Sequence, residues 1–508
     1  MTFFHEDARA DPVDVCLIVE GAYPYIAGGV SSWLDWLISK QPDTRFGVVT
    51  LVADERPRES KYEMGPNVRF LQDVPLNRTP GRPPLSRPVV AADWLADRMC
   101  SLLQEGDPDA FGDIVSFARD PVRQAPLSAL RRPAPPSFDM LMSSLTSWEV
   151  MVACYRRIAP DASFEDFFWA WRNLCGGLFS TLKAPLPPAK LYHTISTGYA
   201  GLFAARATVE TGRPSAITEH GIYTNERRID IVMARWIRDT IRSGLSDTDR
   251  RQDLRDLWIR VFESFARVAY AAAARITTLY GANQSMQREL GAAEDKLQVI
   301  PNGIDLERFK GVRNEPGRRP TAALIGRVVP IKDIEAFISA AAIVRRRIPD
   351  VQIMIMGPTD EDEAYYDLCR RRVEELGLED NVVFTGKVNI VEYMGRIDVM
   401  ALTSISEAQP LVLLEAGAAR IPCVATDVGS CREIIEGAPE EDPPLGPAGR
   451  VAPVMDAEAI GEAIADLLAD DELRAEYGET LRKRVELYFT SEGSAGQYAR
   501  LYSELSAA

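Results

Sequence analysis

A chain of 508 residues is too long for one hydrophobic core and calls for two large domains with insertions. Its apolar content of 46% is ordinary for a globular protein, while a net charge of −16 argues against nonspecific nucleic-acid binding and against direct binding to anionic lipid. Seven scattered cysteines without a C-x-x-C, and three histidines without an H-x-x-x-H, argue against a disulfide framework and a built-in metal centre. No apolar run approaches the ~18–20 residues of a membrane span, and the polar, acidic segment Met1 to Asp11 does not read as a signal peptide. A cytoplasmic location is therefore expected, with any recruitment to the inner membrane passing through a protein partner.

Residues 13–75 are predicted to form three strands, Val13–Glu20, Phe46–Val52 and Val68–Val74, with a helix over Ser31–Ser39. Ala27-Gly28-Gly29-Val30 lies between the first strand and that helix. Two glycines there let a backbone approach a phosphate closely, although an ordinary β–α turn uses the same residues. From Asn77 to about Pro188 the pattern changes to proline clusters flanking helical stretches, Ala91–Gln104 and Trp148–Phe179, which predicts a helical insertion. Its aromatics Trp148, Phe164, Phe168, Trp169 and Trp171 are read as core packing, with acceptor binding as the alternative.

Alternation of strand and helix resumes at Lys190–Thr194, Ser215–Thr218 and Arg275–Tyr280, with a long helix around Arg250–Ala274. His193 and His220 each end a strand; His5 is assigned no role. Val299-Ile300-Pro301-Asn302-Gly303-Ile304-Asp305 closes a further strand with a turn suited to a hinge. Beyond it the βα alternation repeats at Thr321–Ile325, Val351–Met356, Val382–Phe384, Val399–Leu402 and Cys423–Thr426, and helices fill 456–505. Such alternation implies parallel sheets covered by helices on both faces, with ligands at the carboxyl ends of the strands. Arg345-Arg346-Arg347 and Arg370-Arg371-Arg372 read as solvated helix faces.

Chemistry concentrates at two of those strand ends. Gly326-Arg327-Val328-Val329-Pro330-Ile331-Lys332-Asp333 follows a strand and opens a helix, so Arg327 and Lys332 are candidates to hold a diphosphate. Ser406-Glu407-Ala408-Gln409-Pro410-Leu411 then leads into a helical stretch, Leu411 to Arg420, that carries Glu415. Glu407 falls in the loop and Glu415 about one turn inside the helix, a spacing at which two carboxylates can each grip a sugar of one ligand. Backbone N–H groups at the helix start lie between them, ready for an anion. Taken singly, each of these segments also fits plain surface charge. No G-x-G-x-x-G follows the first strand and no G-x-x-x-x-G-K-[ST] occurs, which argues against a dinucleotide oxidoreductase and a P-loop NTPase.

Together and in this order, the Gly-Gly loop, Pro301-Asn302-Gly303-Ile304-Asp305, Gly326-Arg327 with Lys332, Thr385-Gly386, the E-x7-E pair and Asp427-Val428-Gly429 resemble the retaining GT-B glycosyltransferases of family 4. Within them, Glu20-Gly21-Ala22-Tyr23-Pro24-Tyr25 and Thr218-Glu219-His220-Gly221-Ile222-Tyr223 most resemble the enzymes of Pel exopolysaccharide synthesis. The resemblance implies two Rossmann-like domains facing a cleft: an acceptor domain over 1–300 with a helical insertion at about 77–188, and a nucleotide-sugar domain over 301–487. A last helix, 488–508, would pack back on the first domain. It further implies transfer from a UDP-sugar to a polysaccharide acceptor within a membrane-associated synthase complex, without metal.

By the same resemblance, Arg327 and Lys332 bind the diphosphate, helped by Gly28, Gly29, Gly326 and the N–H groups after Glu407, through Ala408, Gln409 and Leu411. Glu415 binds the ribose, Glu407 the donor sugar, Lys387 and Val388 the base, and His220 meets the sugar near the reacting carbon. Front-face attack and double displacement through an enzyme carboxylate both stay open. A non-catalytic sugar-nucleotide-binding subunit and a GT-B epimerase are the rival readings.

Overall fold

The computed structural model describes residues 3–4, 11–81, 92–120, 135–233, 254–313, 315 and 317–507; His5 and the expected helix start at 250–253 lie outside them. The chain divides into two compact units. The first comprises Met1–Thr278, Gln284–Gln298 and Ala499–Ala508, and the second Leu279–Asn283 and Val299–Tyr498.

Valine, isoleucine and leucine runs without alternation build the first unit's sheet, because a parallel strand covered on both faces must be apolar on both. Its strands are β1 (Phe3–Phe4), β2 (Val13–Glu20), β3 (Phe46–Val52), β4 (Val68–Pro75), β5 (Ala189–Thr194), β6 (Ser215–Glu219), β7 (Arg275–Thr278) and β8 (Leu297–Val299). They lie in the order β1-β4-β3-β2-β5-β6-β7-β8; β1 runs antiparallel to β4, and the pairs linking β4 through β7 are parallel. The order reverses between β2 and β5, so their carboxyl ends flank a crevice of the kind that binds ligands in doubly wound folds.

Between β4 and β5 come the helices Ala92–Glu105, Pro108–Arg119, Phe138–Ser143, Leu145–Ile158 and Phe164–Lys183. The single stretch expected over Trp148–Phe179 is thus two helices. Pro160 cannot continue the first, and Ser163 starts the second by accepting the Asp166 N–H at 3.5 Å. The aromatics of the insertion divide by helical phase. Phe167 and Trp171, one turn apart, are buried, whereas Trp169 lies about half a turn from both and is 54% exposed; Trp148 is 48% exposed. Core packing therefore describes Trp171 but not Trp148 or Trp169.

The second unit holds β9 (Thr321–Ile325), β10 (Gln352–Met356), β11 (Val382–Gly386), β12 (Val399–Leu402), β13 (Cys423–Thr426) and β14 (Gly449–Ala452). All pairs in the order β11-β10-β9-β12-β13-β14 are parallel. Strand β14 was not expected from the sequence, since Gly449-Arg450-Val451-Ala452 is short and carries a charge. Two apolar cores cover the sheet, one built on Phe337, Ile338 and Ile464 and the other on Leu413, Ile434 and Leu481, all fully buried. Removing any one of those side chains to alanine would cost about 2–5 kcal/mol. The arginine runs sit on helix surfaces: Arg345 caps carbonyls of Leu376 and Gly377, and Arg347 bridges Glu462 and Asp466 at 2.7 Å each. Among the described residues no helix is long and apolar enough to cross a membrane.

Candidate functional site

The reversal of strand order in the second unit falls between β9 and β12, and the two chemistry-bearing loops leave the sheet there. They are stitched together. The Ile405 N–H donates to the Ile331 carbonyl at 2.9 Å, and the Thr403 hydroxyl donates to the carbonyls of Lys332 and Asp333 at 2.8 and 3.0 Å. Asp333 turns the chain in the left-handed region (φ 46°) and caps the helix Ile334–Arg347 by accepting the Ala336 N–H at 3.3 Å.

On this frame the Lys332 ammonium donates to Glu407 Oε1 at 2.5 Å, and Ser404 Oγ donates to the same oxygen at 2.6 Å. Their side chains are only 22% and 14% exposed, so each charge relies on the other. Arg327 lies in the same loop but points elsewhere: it is exposed and pairs with Glu361 at 2.7 Å. To hold a diphosphate it must leave that partner, which costs little for an exposed pair.

Glu415 sits in the helix Leu411–Ala418, with Arg308 at 4.0 Å. Burial raises its carboxyl above the ordinary range, partly offset by the Arg308 charge. No side chain caps that helix, whose first turn leaves Leu411 exposed. Gly326 lies over the Lys332 stem, 3.6 Å from where its Cβ would stand. Lys387 is exposed, whereas Val388 is half-buried against the Met394–Met400 core. Gln409 turns inward: it is 7% exposed and its Oε1 accepts the Asn302 N–H at 2.7 Å. A role for Gln409 in the donor loop thus falls to its backbone, its side chain being spent on the Pro-Asn-Gly turn.

Two residues that sequence reasoning did not single out individually shape this loop. Ser404 holds Glu407, as described. Gly429 (φ 53°) packs so closely that a Cβ would stand 2.3 Å from the Ala408 carbonyl oxygen and 2.4 Å from that of Glu407. The Ser430 N–H then donates to the Ala408 carbonyl at 2.8 Å. The sequence signal for Gly429 was its place in Asp427-Val428-Gly429.

In the first unit Gly28 and Gly29 start the helix Gly29–Ser39, and a Cβ at either would meet nothing within 4 Å. Neither glycine is demanded by packing, so the loop stands open above the crevice. His220 follows β6, with Trp33 edge-on at 4.5 Å between ring centroids. Its Nε2 is buried without a hydrogen-bond partner among the described residues, and burial lowers its pKa to about 4, so the ring is neutral at pH 7. His193 is enclosed by the Tyr502 hydroxyl at 2.7 Å and the Thr218 hydroxyl at 2.8 Å, and burial brings it down to about 3. Those contacts make it part of the core. Glu20, at the end of β2, is a further residue whose role the sequence alone does not assign. Its carboxylate accepts the Tyr199 N–H at 3.1 Å and the Tyr223 hydroxyl at 2.8 Å.

Comparison with known proteins attaches a family to this frame. Residues 13–295 match the family described as Domain of unknown function (DUF3492), and residues 305–484 match Glycosyl transferases group 1. The chain belongs to the DUF3492 family. The region holding Arg327, Lys332, Glu407 and Glu415 is its glycosyl transferases group 1 part.

Among similar proteins, an N-acetyl-alpha-D-glucosaminyl L-malate synthase of Bacillus anthracis is 31% identical over 176 residues, covering 34% of this chain and 43% of that protein. A phosphatidyl-myo-inositol mannosyltransferase of Mycolicibacterium smegmatis is 32% identical over 217 residues, 41% of this chain and 52% of that protein. The chain thus spans about half the length of these curated relatives. Sucrose-phosphate synthase from Thermosynechococcus elongatus shares the fold across 97% of this chain and 99% of its own, with a TM-score of 0.56 and 18% identity. Anabaena HepE, solved with UDP and glucose, does so across 97% and 99%, with a TM-score of 0.53 and 14% identity. Two parallel-sheet α/β units with such neighbours are a GT-B architecture.

Proposed function

We propose that this protein is a retaining glycosyltransferase that moves a sugar from a UDP-sugar, UDP-glucose or a UDP-N-acetylhexosamine, to a growing exopolysaccharide. The observation that carries the reading is the Lys332–Glu407 pair at the strand-order reversal. Breaking a nucleotide-sugar bond puts negative charge on the leaving diphosphate and positive charge on the sugar ring. Lys332 and Arg327 supply cations to the first, and the N–H groups of Ala408, Gln409 and Leu411 add backbone donors, each of these contributing about 3–4 kcal/mol in comparable sites. Glu407, once Lys332 turns to the diphosphate, accepts sugar hydroxyls, and Glu415 accepts the ribose. Lys387 and Val388 flank the base.

Gly28, Gly29 and a neutral His220 are assigned to the donor's phosphate and sugar from the first unit. Front-face attack fits best, with the departing phosphate accepting the acceptor's proton, because Glu407 is already engaged at the hydroxyls. Cations of the protein do the neutralising, so turnover should persist in EDTA; strict dependence on Mg²⁺ or Mn²⁺ would overturn that part. The motifs around Glu20 and His220 support a role like that of the Pel exopolysaccharide enzyme PelF, working on the cytoplasmic side with membrane-embedded synthase partners.

The deciding experiment incubates the protein with UDP-glucose, UDP-N-acetylglucosamine and UDP-N-acetylgalactosamine, with and without oligosaccharide acceptors. Release of UDP with one donor supports the reading. Binding of a donor without turnover under any acceptor would instead favour a sugar-nucleotide-binding subunit, and inversion of a hydroxyl on the intact donor an epimerase.

A further inference from the structure

Beside the loop that carries Glu407, the second unit has a half-open cavity of about 330 Å³, which lies at the small end of ligand pockets and suits a single sugar-sized molecule. Two deeply buried polar side chains line it, each with one atom left without a partner. Gln409 is 7% exposed and Ser430 1%, and neither Gln409 Nε2 nor Ser430 Oγ has a hydrogen-bond partner among the described residues. Buried polar atoms are rarely left so, because an unbonded one loses its water without a replacement. Tyr280 and Phe489 supply ring surface in the same wall.

The charges narrow the ligand. Arg484, also in the lining, is 1% exposed and fully committed to Glu441, at 2.6 and 3.0 Å, and to the carbonyls of Ile434, Ile435 and Gly446. Glu433, which accepts the Gly281 and Ala282 N–H groups at 3.2 and 3.1 Å, and Glu440 leave the lining acidic, so that it repels phosphates and nucleotides. A molecule that offers acceptors to Gln409 and Ser430, donors to carboxylates and a C–H face to aromatic rings is a neutral sugar.

We propose that this cavity is a second ligand site, taking a neutral monosaccharide independently of the nucleotide-sugar site. Two short links tie its wall to the donor loop. Gln409 Oε1 holds Asn302, and Ser430 N–H holds Ala408, the residue after Glu407.

The test titrates the full chain, saturated with UDP, with glucose and with N-acetylglucosamine, read by saturation-transfer NMR and calorimetry. One saturable equivalent is expected whose affinity UDP does not change. Ser430→Ala, which removes only an unbonded hydroxyl, should weaken it about fivefold; Leu487→Trp, which narrows the cavity wall, should weaken it at least as much. No saturable sugar signal, a signal that UDP abolishes, or one that both variants leave intact would overturn the proposal. Failure of UDP itself to bind, with the sugar signal retained, would count against the glycosyltransferase reading and not against this site.

Discussion

Lys332→Ala is the perturbation that bears most directly on the proposed chemistry. Lys332 lies at 2.5 Å from Glu407 Oε1, and the two side chains are 22% and 14% exposed. At an effective dielectric constant near 20, charges about 4 Å apart attract by roughly 4 kcal/mol. Desolvation and side-chain ordering reduce the net worth of such a charged hydrogen bond to about 1.5–3 kcal/mol. Partial exposure puts the stability loss at the low end, and Ser404 keeps Glu407 bonded after the change.

Catalysis should suffer more than folding. A preorganised cation on the leaving diphosphate is worth ~3–4 kcal/mol, which at ~1.36 kcal/mol per decade lowers turnover by two to three orders of magnitude. The assay is UDP release from the preferred donor at saturation, alongside a melting curve and UDP affinity. A Lys332→Ala enzyme within tenfold of wild-type turnover would refute the assignment. So would recovery of activity in a Lys332→Ala/Glu407→Ala double variant, because the pair would then matter only to each other.

Arg327→Ala should lose turnover comparably, as read by UDP release, whereas Glu361→Ala, which removes the exposed resting partner of Arg327, should change UDP affinity by no more than about threefold, as read by fluorescence titration with UDP. Glu415→Gln should weaken UDP and UDP-sugar alike by about one to two decades, while Glu407→Gln should spare UDP and impair the donor; calorimetry decides, and equal loss of UDP affinity in both would end that division of labour. Gly429→Ala places a Cβ 2.3 Å from the Ala408 carbonyl oxygen in a left-handed turn. It should cost roughly 1–3 kcal/mol and raise the donor KM, as read by thermal melting and initial rates. His193 and His220 titrate at about 3 and about 4 in the folded chain, below the ordinary 6.5. The unfolded chain therefore binds the extra protons as pH falls, and stability present above pH 6.5 should drop by up to ~1.4 kcal/mol per histidine at pH 5.5. Urea unfolding at both pH values measures it, and His193→Gln should remove about half of the dependence.

The amino-acid sequence by itself determined most strands of both units and the loops that carry charge. Val13–Glu20, Thr321–Ile325 and Val399–Leu402 are legible because a strand buried on both faces must be a short apolar run bounded by turn residues, and each run is read without reference to the rest of the chain. Glu407 and Glu415 are legible for a similar reason: their spacing straddles the start of a helix-forming run that begins at Leu411. Partners and directions were not legible, because they depend on which loops the strand order brings together. That Lys332 meets Glu407 while Arg327 turns to Glu361 follows from placing β9 beside β12. That Trp169 faces outward while Trp171 is buried follows from which side of their helix meets the neighbouring helices. Only the tertiary structure also decided that Gln409, a residue of the donor loop, would spend its side chain on Asn302 and on the wall of a cavity. A side chain's direction is set by packing against segments distant in sequence, and no local pattern encodes it.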